Sequence, residues 1–221
     1  MLYALTLKPA QKPFVEKAFD TYIQMRLGDW EKLYDLCVEP DSATRRGSRE
    51  EFRRDIIAAR RYVYPDLEDD KLYEAEDYED VPEMERFLEG VRQADTIELT
   101  TKEARRFGYA QELFCRLRLG QWMELLDLCV DLRSDRYCEI REMLTFHLMA
   151  ARKHVYPDLS PQYGHSYGVG KFEDADYAWE VYEVLRNKLA WTEHPEGGIT
   201  VDFSPPMSFQ GHELASCEIL K

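Results

Sequence analysis

Apolar residues recur along this chain at spacings of three and four, and the pattern is written twice. Val15, Ala18, Tyr22 and Met25 fall on one face of a helix, and Phe107, Ala110, Phe114 and Leu117 repeat that face. A short second helix carries Trp30, Leu33 and Cys37, matched by Trp122, Leu125 and Cys129. A third carries Phe52, Ile56, Ala59 and Val63, matched by Leu144, Leu148, Ala151 and Val155. The fourth holds Ala178, Val181, Tyr182, Leu185 and Leu189 in the second copy. Gly28 and Gly120 fit the end of the first helix in each copy, where glycine enters the left-handed region cheaply. Ser48 with Glu51 forms a capping box, and Pro65 and Pro157 stop the third helix. "YALTL", "TIELT" and "GITVDF" read as short strands.

The copies agree in letters as well as in period. "MRLGDWEKLYDLCV" (25–38) returns as "LRLGQWMELLDLCV" (117–130), and "AARRYVYPDL" (58–67) as "AARKHVYPDL" (150–159), both 92 positions later. A register held that long marks a duplicated module of about 90 residues. Each copy is marginal in size alone, so packing the two as a fused homodimer is the natural solution. The expected fold is mainly α: two tandem four-helix modules packed about a pseudo-twofold axis, with short β-strands at the module edges. Residues 1–94 form the first module and 95–221 the second with a C-terminal tail, together one compact unit.

Composition agrees with a packed chain, since 44% of the 221 residues are hydrophobic and 13% aromatic. No apolar run reaches the roughly 18–20 residues needed to span a membrane. The start "MLYALTLKPAQ" lacks the basic and apolar regions of a signal peptide. Five cysteines, an odd number without close pairs, read as reduced thiols of a cytoplasmic protein, with Cys37 and Cys129 as small buried hydrophobes.

Charge changes the picture more. A net charge of −14 argues against direct nucleic-acid binding through a broad basic surface. Between Asp66 and Glu89 twelve acids stand against Lys71 and Arg86, so this segment alone is −10. Its exposed part, Glu74, Glu76, Asp77, Glu79 and Asp80, is a candidate partner-binding surface, with imitation of a phosphate backbone as one reading. Arg45, Arg46, Arg49, Arg53, Arg54, Arg60 and Arg61 precede it directly. Pairing of these arginines with the acidic segment is the plainer account. The functional one is an anion site, because Arg60 matches Arg152 and Arg61 matches Lys153. If they converged with His154 between the copies, they would suit a small anionic nucleotide.

Other chemistries find less support. "GHSYG" (164–168) matches the G-x-S-x-G nucleophile elbow, but neither a strand before it nor a helix after it is predicted. His147 and His154 share a helix face, yet no Cys-x-x-Cys or His-Glu-x-x-His pattern accompanies them, so no metal, cofactor or catalytic residue is assigned.

The stretch "YAWEVYEVLRNKLAWTEHPEGGITVDFSPPM" (177–207), the "LTL"-proline start and the "LGQW" turn resemble a family of small uncharacterised tailed-phage accessory proteins, here as a tandem duplication. The first copy carries "VRQADT" in place of the "HPEGG" tail, so any site built on the tail is single. The resemblance implies a phage origin and an accessory role during infection, and it brings no catalytic motif. The expected function is non-enzymatic binding of a host component to counter host defence, by blocking a host protein or by sequestering a nucleotide signal. The alternatives are a small hydrolase or nucleotide-processing enzyme using His and Asp of the second module, an acidic nucleic-acid mimic, and a virion component. The chain is expected to act in the host cytoplasm as a monomeric pseudo-dimer or a higher homo-oligomer.

Overall fold

The computed structural model describes residues 1–38, 46–160, 164–166, 168, 172–209 and 211–220, with the side chains of 46–48 left aside. The capping box at Ser48, the cations Arg45 and Arg46, and Tyr167 of "GHSYG" therefore lie outside what is described. Among the described residues the chain is mainly helical, with eight α-helices and one small antiparallel sheet. In order these are β1 (Leu2–Thr6), α1 (Lys12–Arg26), α2 (Lys32–Cys37), α3 (Arg46–Val63), α4 (Val81–Gln93), β2 (Thr96–Thr100), α5 (Thr101–Arg118), α6 (Glu124–Cys129), α7 (Tyr137–Val155), α8 (Glu173–Glu193) and β3 (Ser216–Leu220). No described helix is long and apolar enough to cross a membrane.

The chain forms two compact units, and each draws on both copies of the repeat. One comprises residues 1–22, 82–115 and 166–221; the other comprises 23–81 and 116–165. The boundary between units is thus not the boundary between copies.

In the second of these units the repeated letters acquire a physical reason. Gly28 and Gly120 end α1 and α5 with φ of 89° and 83°, values that L side chains rarely adopt. A tryptophan follows each glycine and is fully buried, and its indole closes back on the helix just ended. Trp30 Nε1 donates to the Met25 carbonyl at 2.9 Å, and Trp122 Nε1 to that of Leu117 at 2.9 Å. The glycine carbonyls then receive a buried arginine each: Arg60 Nη1 reaches Gly28 O at 3.1 Å, and Arg152 Nη1 reaches Gly120 O at 2.8 Å. Tyr64 and Tyr156 of the two "VYPDL" stretches donate to the carbonyls of Arg26 at 3.1 Å and Arg118 at 2.6 Å. Pro65 and Pro157 follow α3 and α7 as the pattern predicts.

Contacts between the copies in this unit come in exchanged pairs. Arg26 donates to Leu128 O at 2.7 Å, while Arg118, its counterpart, donates to Cys37 O at 3.3 Å, one residue past the position equivalent to Leu128. Tyr64 meets the Cys129 thiol and Tyr156 the Cys37 thiol. Helix α3 packs along α7, where His154 lies 3.0 Å from Asp55 and the equivalent positions in the other sense, Tyr62 and His147, stack at 5.5 Å. All described cysteines are free thiols; Cys37 is buried as expected, whereas Cys129, expected to match it, is only half-buried.

The other unit holds the sheet, ordered β2–β1–β3, with Tyr3 opposite both Leu99 and Ile219. Alternation along β1 puts Tyr3 and Leu5 into the core. There Phe19, Phe87 and Phe107 close an aromatic cluster with centroid separations of 4.7–5.8 Å. One expected strand fails. "GITVDF" forms bends and a 3-10 turn over Val201–Phe203, and the third strand is instead "SCEIL" near the C-terminus. The reason lies on α8: the Asn187 amide donates to the carbonyls of Asp202 at 3.0 Å and Ser204 at 2.8 Å, and the Trp191 indole to that of Phe203 at 3.2 Å. Backbone groups that a strand would spend on a sheet are taken by helix side chains.

The arginine clamps generate the first prediction. Arg60→Ala and Arg152→Ala each leave buried carbonyls without donors, so each is expected to cost about 2–4 kcal/mol of stability. Urea unfolding measures this. Loss below about 0.5 kcal/mol, the scale of an ordinary surface substitution, would contradict the clamp.

Candidate functional site

The residues assembled from sequence into an anion site do not gather. Arg60 spends its guanidinium on the carbonyls of Gly28, Glu68 at 2.9 Å and Lys71 at 3.2 Å. Arg152 spends its own on Gly120 and on Ser160 at 2.8 Å. Both are buried, and each points to its own copy's loops instead of a shared ligand. Arg61 pairs with Asp69, Lys153 is exposed, and His154 sits between Asp55 and, at 3.5 Å, Glu51. The other α3 arginines whose side chains are described are also paired: Arg49 with Asp35, Arg53 with Glu31 and Arg54 with Asp55. Of the acidic surface, Glu74, Glu76, Asp77 and Glu79 are exposed. Asp80 instead turns to Arg26 at 3.2 Å, and Asp77 caps the turn at Glu74 N. In "GHSYG", Gly164, His165 and Ser166 are loop; the His165 amide donates to Leu119 O at 2.8 Å and its ring stands against Tyr156. Among the described residues no group of three or more His, Cys, Asp or Glu could hold a metal ion.

A different candidate site lies in the second copy. Between α5 and α8 runs an open groove of about 500 Å³. Ala104, Gly108, Leu185, Leu189 and Ala190 form its apolar lining, and Thr200, Asp202 and Phe203 of the tail close one end. Gly108 explains the space. Its counterpart in the first copy is Glu16, which takes Arg92 at 3.3 Å, and Lys12 pairs with Asp95 at 3.0 Å nearby. With no side chain at 108, Arg186, the counterpart of Arg92, turns instead to Glu183 at 3.4 Å and Asp202 at 3.4 Å. Arg105 pairs with Glu193 at the rim. Tyr182 hydrogen-bonds within the groove to Glu112 and Arg186; burial raises its pKa, Glu112 adds to the rise and Arg186 opposes it, so the phenol stays protonated.

The tail is fastened by carboxylates that the apolar pattern conceals. Asp176, Glu180 and Glu183 lie on one face of α8, all buried. Asp176 accepts from Gly168 N at 2.6 Å, Glu180 from Phe209 N at 2.7 Å, and Glu183 from Met207 N at 2.7 Å and the Trp179 indole at 3.0 Å. His212 lies 3.1 Å from Glu180 and stacks on Tyr177, which stacks on Phe14. Exposed apolar side chains neighbour the lining residues along the chain: Ile199 is fully exposed and Val201 61% in the tail, and Trp191 is 45% exposed near the end of α8.

No protein-family model, curated protein or solved structure matches this chain, so its function is argued from this geometry.

Two predictions follow from the groove and the strap. A Cβ at Gly108 would meet only Tyr182 at 3.6 Å and Leu185 at 3.9 Å, ordinary contacts. Gly108→Ala is therefore expected to raise stability by about 0.5–1 kcal/mol, the cost of mid-helix glycine, while narrowing the groove; a loss in urea unfolding would refute this. Burial raises the pKa of Glu180 above the usual 4.5, Asp176 adding to the rise while the Phe209 amide and His212 oppose it. A raised acid favours the fold in its neutral form, so that contribution is complete below the unfolded value of 4.5 and is lost as pH climbs through the folded one. Glu180→Gln should gain on the wild type between pH 4.5 and about 7, and a constant difference would show that Glu180 does not titrate differently in the fold.

Proposed function

We propose that this chain is a phage-encoded, non-enzymatic accessory protein that binds a host protein through the α5–α8 groove and thereby counters host defence. Phage origin and anti-defence purpose rest on the resemblance of the tail and the "LGQW" turn. Binding rests chiefly on one observation, that Gly108 and the strapped tail open a groove in the second copy where the first has the Glu16–Arg92 ion pair. A protein partner is favoured over a nucleotide by what lines and surrounds the groove. Glu112, Glu193 and Asp202 outnumber Arg105 and Arg186, both of which are engaged by carboxylates. Ile199 and Val201, on either side of the lining residue Thr200, and Trp191 of α8 are exposed. Apolar residues around an open trough suit a macromolecular face; a sequestered nucleotide needs enclosure and free cations. In the same reading the two copies are related by a pseudo-twofold axis, supported by the exchanged Arg26/Arg118, Tyr64/Tyr156 and Tyr62/His154 contacts.

The test is affinity purification of the tagged chain from bacterial host cells, comparing wild type with Ile199→Asp/Val201→Asp. Both side chains are exposed, so the fold should be unaffected. A host protein that copurifies with wild type should fall at least about tenfold in the variant, the effect of burying unpaired carboxylates in an apolar contact. Equal recovery of every copurifying protein would exclude the groove rim as the binding face.

A further inference from the structure

We propose that the partner segment taken by the groove is a cationic amphipathic helix, read by a stripe of apolar side chains flanked by lysine or arginine; this rests on the groove being the binding face.

The dimensions point to side chains as the occupant. A helix with its side chains is about 10–12 Å across, too wide to sink into about 500 Å³ between two packed helices. A few large apolar side chains fit that space. Anchors at i, i+3 or i+4 and i+7 along one helix face form such a row, which is the helix-in-groove mode of recognition. Exposed Ile199 and Val201 on the tail wall and Trp191 at the end of α8 extend the apolar contact beyond the trough. The wall is held firm enough to serve, because Asn187, Trp191 and Glu183 each bond the tail's backbone. Little ordering is then required on binding.

Charge selects the flanks. Glu112, Glu193 and Asp202 line the groove, and Glu196 follows in the tail beside His194. From Glu193 to Asp202 the tail carries three acids and neither lysine nor arginine. Arg105 pairs with Glu193 and Arg186 with Asp202, which leaves Glu112 and Glu196 as the excess negative charge. The local field is therefore negative, as is the whole chain at −14, and it draws cationic segments while turning anionic ones away.

The experiment uses the full chain and three designed peptides of about 15 residues, roughly four helical turns. One has a leucine stripe on a lysine-rich helix, one has the same composition scrambled, and one has glutamate for every lysine. Calorimetry at physiological salt is run with wild type, Ala190→Trp, which fills the groove, and Ile199→Ser, which removes an exposed apolar side chain without adding charge. The striped cationic peptide should bind one-to-one, and each substitution, like scrambling, should weaken it at least about tenfold, or about 1.4 kcal/mol. Equal binding of the scrambled peptide, or indifference to both substitutions, would reduce the attraction to bulk charge and overturn the proposal. Preference for the glutamate peptide would overturn the cationic partner and leave the groove reading standing. If no peptide binds, the partner class is wrong; the groove reading then stands or falls with the Ile199-dependent copurification. Sedimentation of the chain alone completes the test. Self-association abolished by Ile199→Ser would make a second copy the occupant and overturn the proposal.

Discussion

The structure depends on a carbonyl that a glycine turn leaves bare and a buried arginine that finds it. A helix must end at Gly28 or Gly120 for the chain to reverse, and the last carbonyls of a helix have no partner inside it. Arg60 and Arg152 reach those carbonyls from the long helix that follows, and they hold the next loop as well, at Glu68 and Lys71 or at Ser160. One guanidinium thus joins a helix end, a second helix and the loop beyond it. A buried charge is tolerable because carbonyl oxygens accept its protons; without them the same residue would be strongly unfavourable. The "LG-x-W" and "VYPDL" stretches are the two halves of this device, which is why they recur together.

That device was legible in part. The spacing of apolar residues placed the helices, and the glycines and prolines marked their ends where the structure has them, whereas Trp30 and Trp122, expected on α2 and α6, stand in the turns before them. Matching arginines in the two copies were visible too, but their acceptors were not, because a backbone carbonyl carries no letter. An arginine pair that recurs at the end of a helix therefore suits an anion and a turn equally well in sequence. The tail shows the converse error. Alternation in "GITVDF" is a fair strand signal, yet Asn187 and Trp191, more than ten residues upstream, take its carbonyls. "SCEIL" became the strand because β1 offered it an open edge.

The carboxylates of α8 were hidden for a related reason. Asp176, Glu180 and Glu183 repeat at helical spacing, the usual mark of a solvated face. Their partners are amides at residues 168, 207 and 209, in irregular chain that has no period. Buried acids of this kind are stable only when several N–H groups converge on them. Here the convergence fixes the tail, and with it one end of the groove.

Gly108 was the one local sign of the groove. A glycine inside a helix is unfavourable by about 1 kcal/mol relative to alanine and calls for a packing or functional reason. The comparison that supplies the reason is internal to the chain. Position 16 keeps a glutamate that locks Arg92 across the first copy's helix pair, whereas position 108 has given up its side chain and freed Arg186 to brace the tail. Both changes serve the second copy only, where the tail exists. Duplication puts an ion pair, Glu16–Arg92, at the position where the second copy has the side-chain-free Gly108. The clamps are thus kept in both copies, while the groove and the tail that borders it belong to the second.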